Sequence, residues 1–230
     1  MKRLFIALAV MGLAIPASGF AADDEGWVDL FNGKDLDGWE VKNGKATYRV
    51  EDGAIVGTSA PNSPNSFLCT KKHFGDFVLE FEFKANPTMN SGLQFRSNSL
   101  ESYKSGRVHG YQCELEDEAQ SRDWWCGVYD EGRRGWLYPT KEDEALAAKF
   151  TEEGQRLWKN GEWNRVRIEA KGDHIRTWLN GELRADLHDA MTPSGFVALQ
   201  VHGVGKRTEP LSVRWRNLRI KELEPGSASK

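Results

Sequence analysis

The chain has 230 residues, enough for one domain with a full core and no need of metal or disulfide staples. Apolar residues make up 39% and charged residues 28%, which excludes a disordered chain and a bundle of membrane spans. With 31 Lys+Arg against 34 Asp+Glu the formal charge is −3, so no general field attracts phosphate and nucleic acid is not an expected partner.

The N-terminus reads as a leader. Lys2 and Arg3 precede an apolar run from Leu4 to Ile15, Pro16 breaks it, and Gly19-Phe20-Ala21 sets small residues at a cleavage site. The run is short for a membrane span, and no later stretch could cross a bilayer, so no membrane insertion is expected. Residues 1–21 are therefore expected to be a signal peptide cleaved near Ala21, and the mature protein to be periplasmic or secreted. Residues 22–224 would form a single domain and 225–230 a flexible tail.

Downstream, alternation of apolar and polar residues dominates. Asp52-Gly53 is a turn. Strands are expected at 66–70, 77–84, 91–97, 108–117, 163–170, 174–180, 195–202 and 211–220. In the second of these, Phe77, Leu79, Phe81 and Phe83 point one way and Val78, Glu80, Glu82 and Lys84 the other. One short, peripheral helix is expected, capped by Thr140 with Asp143 as its capping-box partner and Ala145–Phe150 as its body. Asn180-Gly181 between Ile175–Leu179 and Glu182–Asp186 is a two-residue hairpin signal. In the last strand Leu211, Val213 and Trp215 share a parity that Leu218 and Ile220 do not, which a bulge near Arg216–Asn217 would reconcile. Many short antiparallel strands and little helix make an all-β sandwich of jelly-roll type.

A sandwich hides one face of each sheet, so parity sorts core from outer face. Leu93, Phe95, Tyr111, Cys113, Leu115, Val197, Leu199 and Val201 go inward. Gln94, Arg96, Gln112, Glu114, Glu116, Gln200 and His202 go outward. Amides, carboxylates, a cation and an imidazole on three strands can bind a polyol and move a proton. Most of the nine Trp fit a β core, but Trp124, Trp125 or Trp136 could stack on a sugar ring from a loop. Arg133-Arg134 reads as a solvated loop. The three cysteines, Cys69, Cys113 and Cys126, read as buried thiols, with a Cys113–Cys126 bridge as the alternative. No cofactor is required by these residues. Asp35, Asp37, Asp117 and Asp123 could supply oxygen to calcium, against the ordinary reading of turn caps.

Pieces of the sequence resemble the 3-keto-disaccharide hydrolase family, formerly a domain of unknown function. They are Gly26–Trp39, Asn90–Arg96, Gly110-Tyr-Gln-Cys-Glu-Leu-Glu-Asp117, Gly127-Val-Tyr129, Glu162-Trp-Asn164, Leu179-Asn-Gly181, Leu199-Gln-Val-His202 and Arg216–Lys221, in family order along nearly the whole mature chain. Where the family usually shows Glu-x-Gln, this chain has Gln112-Cys113-Glu114. The acid is thereby moved about 7 Å along the same face, at ~3.3–3.4 Å per residue.

The resemblance implies a concanavalin-like jelly roll and a carbohydrate ligand oxidised at C3, a 3-keto-glycoside. It also implies an upstream sugar 3-dehydrogenase. Removal of the acidified C2 proton and loss of the C1 substituent would break the glycosidic bond, and water adding to the enone would complete hydrolysis. On that reading Glu114 is the base, Arg96 the enolate stabiliser and His202 the acid or second stabiliser. Asn90, Gln94, Gln112 and Gln200 would hold hydroxyls, with His109 a lesser acid–base candidate. The alternatives are a glycosidase using Glu114 and Glu116 as paired carboxylates and a non-catalytic, lectin-like carbohydrate-binding module. The sequence leaves the oligomeric state open.

Overall fold

A computed structural model describes residues 25–86, 88–115 and 122–224. The expected leader and tail, with Glu116 and Asp117, lie outside the described residues. The described elements are fifteen strands and one helix. The strands run β1 (Trp27–Asp29), β2 (Trp39–Lys42), β3 (Thr47–Glu51), β4 (Ala54–Thr58), β5 (Ser66–Phe74), β6 (Phe77–Ala85), β7 (Ser91–Asn98) and β8 (His109–Leu115). They continue as β9 (Val128–Glu131), β10 (Gly135–Tyr138), β11 (Asn164–Lys171), β12 (His174–Leu179), β13 (Glu182–His188), β14 (Gly195–Val201) and β15 (Ser212–Glu222), with helix α1 at Glu144–Leu157 before β11. One sheet runs β13-β12-β11-β6-β15-β4-β3, with β1 added on β15; the other runs β10-β9-β8-β7-β14-β5-β2. Every pairing is antiparallel. This is the expected all-β sandwich.

The alternation of β6 shows why the sheets stack. Phe77, Leu79, Phe81 and Phe83 are fully buried between the layers, against Leu93, Phe95, Tyr111, Val197, Leu199 and Trp215. Each such Phe contributes about 1.5–3 kcal/mol by leaving water. On the opposite face Glu80 pairs with Arg167 and Arg219, and Glu82 with Arg216, so the charges left outside neutralise one another. Asp52-Gly53 and Asn180-Gly181 have both residues at positive φ, as the primed hairpin turn demands. The bulge in β15 falls between Arg216 and Arg219, with Asn217 at φ 52°. It lets Val213, Trp215, Leu218 and Ile220 all reach the core.

The helix differs from expectation. Its cap is Asp143, whose Oδ1 accepts from Leu146 N at 2.9 Å, and it runs to Leu157, well past Phe150. Thr140 lies outside it. The carboxylate wins the cap because it is the residue just before the helical backbone, where a side-chain oxygen meets the orphan N–H groups. Among the described residues no helix is long and apolar enough to cross a membrane. The three cysteines are buried and free.

Candidate active site

On the outer face of the second sheet, neighbouring strands bring polar side chains into register. Glu114 lies opposite Gly92, Gln94 opposite Gln112, Gln112 opposite Tyr129, and Gln200 opposite both Gly92 and Phe67. Gly92 sits between Glu114 and Gln200. A Cβ there would fall 2.5 Å from Gln112 Cδ, so bare backbone provides the space in which the Gln112 amide lies. That amide accepts from Gln200 Nε2 at 2.9 Å and from Gln94 Nε2, and donates to Glu114 Oε2 at 2.7 Å. Asn90 Nδ2 holds the other oxygen, Glu114 Oε1, at 2.8 Å.

An ionised carboxylate only accepts. Gln112 must therefore turn its NH2 to Glu114 and its carbonyl to Gln94 and Gln200. Gln94 passes the same polarity on, since its Oε1 accepts from Ser97 Oγ at 2.9 Å. Gln200 spends its NH2 on Gln112, and its buried Oε1 has no partner among the described residues. The network thus leaves one buried, unpaired acceptor on a residue that lines a cavity of about 460 Å³, within the range of small-ligand sites.

Asn90, Gln112, Glu114, Gln200 and His202 line this cavity together with Trp136. His202 is exposed just beyond β14, and its Nδ1 lies 2.9 Å from Gly203 O. A carbonyl only accepts, so Nδ1 carries a proton and Nε2 is the nitrogen left to meet a ligand.

Other expected members are elsewhere. Arg96 is displaced from the site. A bulge between Phe95 and Asn98, with Arg96 itself at φ 44°, breaks the alternation and turns the side chain away from Glu114. Its guanidinium is buried and bonds Gly75 O, Gly172 O and Asp76 Oδ1, each at 2.7 Å. Gln94 is wholly buried beneath Gln112 and supports it from below. Trp125 is core, stacked on Trp158 with centroids 5.2 Å apart. Trp124 is buried, donates to Thr151 Oγ1 at 3.1 Å and stands edge-on to Trp136. Of the three tryptophans, Trp136 alone lines the cavity. His109 is buried against Tyr103, its Nδ1 2.8 Å from Arg107 O, and does not line the cavity.

Asp35 serves its own turn, accepting from Asn32 Nδ2 and Asp37 N. Asp123 accepts from Gln155 Nε2 at 2.6 Å. Among the described residues no three His, Cys, Asp or Glu cluster as metal ligands.

Further lining residues are Arg122, Tyr129, Glu131, Arg134, Lys141 and Glu142. Arg133 and Arg134 are not a solvated pair: both clamp the fully buried Asp130, and Arg134 also grips Asp189 at 2.7 Å. Glu131 pairs with Arg107 at 2.9 Å. Burial pushes the Tyr129 phenol up, Glu131 and Glu114 push it further, and Arg107 and Arg122 oppose them. Tyr129 falls within one of the quoted motifs, but four residues of β9 are too few for parity to give it a face.

A sequence profile of the 3-keto-alpha-glucoside-1,2-lyase-like domain matches residues 26–221. No curated protein matches the chain. Several solved structures share the fold. A Parabacteroides distasonis protein, provisionally designated a glycosyl hydrolase, is 22% identical with a TM-score of 0.59, covering 87% of this chain and 95% of its own. The family 66 carbohydrate-binding module of Bacillus subtilis is 19% identical with a TM-score of 0.55, covering 80% and 96%. A galectin-like protein of unknown function from Bacillus subtilis is 11% identical with a TM-score of 0.57, covering 83% and 92%. The profile marks the chain as carbohydrate-active, and the three structures share its sandwich.

Proposed function

We propose cleavage of 3-keto-glycosides for this chain, which belongs to the family of 3-keto-alpha-glucoside-1,2-lyase-like domains. The observation that supports it most is the Glu114 carboxylate, held at both oxygens by Asn90 and Gln112 on the wall of a cavity that His202 also lines. Two fixed amides orient the carboxylate within the cavity wall. A carbonyl at C3 acidifies the C2 hydrogen. Glu114 removes it, the C2–H electron pair forms the C1–C2 double bond, and the C1–O bond breaks with its electrons on the departing oxygen. His202, protonated at Nε2, gives that oxygen its proton. The product is an enone, and water adding at C1 makes the net reaction a hydrolysis.

Gln200 Oε1 is the acceptor for a sugar hydroxyl, and Trp136 offers a ring face. Site of action is the periplasm or the exterior, on the strength of the leader sequence; cell fractionation with a precursor-specific mass measurement tests that.

The deciding experiment incubates purified protein with 3-keto-glucosides and with their unoxidised counterparts. Wild type should consume the keto sugars alone, and Glu114→Gln should turn over at least about 100-fold more slowly. Wild-type turnover by that variant would remove Glu114 as base. Sugar binding with no product from the wild type would leave the non-catalytic carbohydrate-binding module in its place.

A further inference from the structure

Withdrawal of the C2 proton moves negative charge onto the C3 oxygen, and a site for this chemistry needs a donor aimed there. Arg96 is committed to two carbonyls and Asp76, away from the cavity. Of the cationic and hydroxylic groups that line the cavity, Arg134 is spent on Asp130 and Asp189. Lys141 is exposed at the start of the segment leading to α1.

Tyr129 stands on the sheet itself, and Arg122, exposed like Lys141, is set apart by the rings it covers. Tyr129 stands directly across from Gln112, the residue that holds Glu114, so the phenol shares the face of the base. Its ring is half-buried and packs edge-on against Trp136 with centroids 5.3 Å apart. Its hydroxyl makes no hydrogen bond with the described residues. Arg122 has its guanidinium over the rings of Trp124 and Trp136, at 5.7 and 5.9 Å, and forms no ion pair with a described residue. Among the described residues, the cavity therefore holds one hydroxyl without a hydrogen bond and one guanidinium without an ion pair.

We infer that Tyr129 donates its hydroxyl hydrogen bond to the C3 oxygen of the keto sugar as Glu114 takes the C2 proton, with Arg122 as the cation facing that oxygen. The inference rests on the reading of the site as a 3-keto-glycoside eliminase. No proton changes hands at Tyr129. Charge builds on the C3 oxygen as the C2–H bond breaks, and the C3 carbonyl re-forms as the electron pair moves into C1–C2 and the C1–O bond opens. The hydrogen bond is strongest in between, which is where a donor accelerates the reaction. A phenol is protonated at neutral pH, and burial pushes this one further in that direction.

The test follows hydrogen exchange at C2 of a methyl 3-keto-glucoside in deuterated water, with product release alongside. Wild type, Glu114→Gln, Tyr129→Phe and Arg122→Gln are compared, each checked by thermal melting. Tyr129→Phe should lose about 100- to 1,000-fold in kcat and in exchange rate, as removal of one oxyanion donor does, with KM within about threefold. Arg122→Gln should lose kcat in the same sense. Exchange by Tyr129→Phe at the wild-type rate, or a raised KM with kcat kept, overturns the inference while leaving the proposed reaction standing. A wild type that neither exchanges nor releases product overturns the reaction and this role together. Should Tyr129→Phe fail to fold, 3-fluorotyrosine at position 129 decides. Its lower phenol pKa should move the alkaline limb of the rate profile to lower pH, and an unmoved limb overturns the role.

Discussion

Arg96 is a positive charge held almost entirely out of water, and its three short bonds explain why it stays there. Gly75 O, Gly172 O and Asp76 belong to the β5–β6 and β11–β12 turns, so one side chain from the second sheet ties the turn that joins the sheets to a turn of the first. Arg96→Met would leave two carbonyls and a carboxylate short of a donor. Removing one member of a buried pair costs 3–5 kcal/mol in general; about 3 is expected here, because Asp76 still accepts from Gly172 N at 3.0 Å. The melting temperature should fall by about 6–12 °C, at ~2–4 °C per kcal/mol for a chain of this size, while kcat of the folded fraction is retained. A lost kcat at unchanged stability would return Arg96 to the site. At this scale the sequence was legible wherever the ladder is regular. Parity placed Gln112, Glu114 and Gln200 on one face because β8 and β14 alternate without interruption around them. It failed at Arg96 because one left-handed residue reverses every side chain after it, and at Trp125 because nothing local says that a loop indole will find Trp158.

Helix α1 is attached to the sandwich through a glycine. Gly154 is buried in the helix, and a Cβ there would lie 2.4 Å from Asp123 O and 2.9 Å from both Arg184 Nη2 and Trp125 Cε3. Ala is the better helix former by about 1 kcal/mol, but overpacking costs about 1–3 kcal/mol and two of the atoms met are backbone and core indole. Gly154→Ala should therefore lower the urea midpoint, with m unchanged; a raised midpoint would show that the helix can lift off without loss. The helix was legible as an element because Asp143 and the apolar spacing announce it, and its last two turns were not, because their reason is this contact. The same division holds for the strands. Long alternating segments such as β6, β11 and β14 declare themselves, as do the Asn180-Gly181 and Asp52-Gly53 turns. Strands β1, β2, β9 and β10, of three or four residues, contain too few alternations to register and exist because a neighbour offers its edge.

Asp189 joins the two layers next to the cavity. It follows β13 of the first sheet, accepts from Arg134 in the β9–β10 turn of the second, and accepts from the hydroxyl of Tyr111 in β8. Tyr111 in turn is pushed up to about 12, by burial and by that carboxylate, and so remains a donor. Burial alone would raise the Asp189 carboxyl, but the bonds from Arg134, Tyr111 and Met191 N outweigh it and bring it from the ordinary 3.8 down to about 2. A carboxyl depressed on folding adds stability that is complete above its unfolded value and disappears as pH falls through its folded value. Asp189 should therefore support the fold undiminished above about pH 4 and lose that contribution between 3.8 and about 2. Because Arg134 also lines the cavity, its release would loosen the β9–β10 hairpin, whose strands carry Tyr129 and Trp136. Asp189→Asn cannot titrate. Unfolding free energies measured from pH 5 to pH 2 should show a lower plateau for the variant and a shallower descent below pH 4 than for wild type, so that the two curves converge. Parallel curves throughout would mean that Asp189 titrates alike in the folded and unfolded chains, and the clamp between the sheets would have to be sought in Asp130 with Arg133 and Arg134 instead.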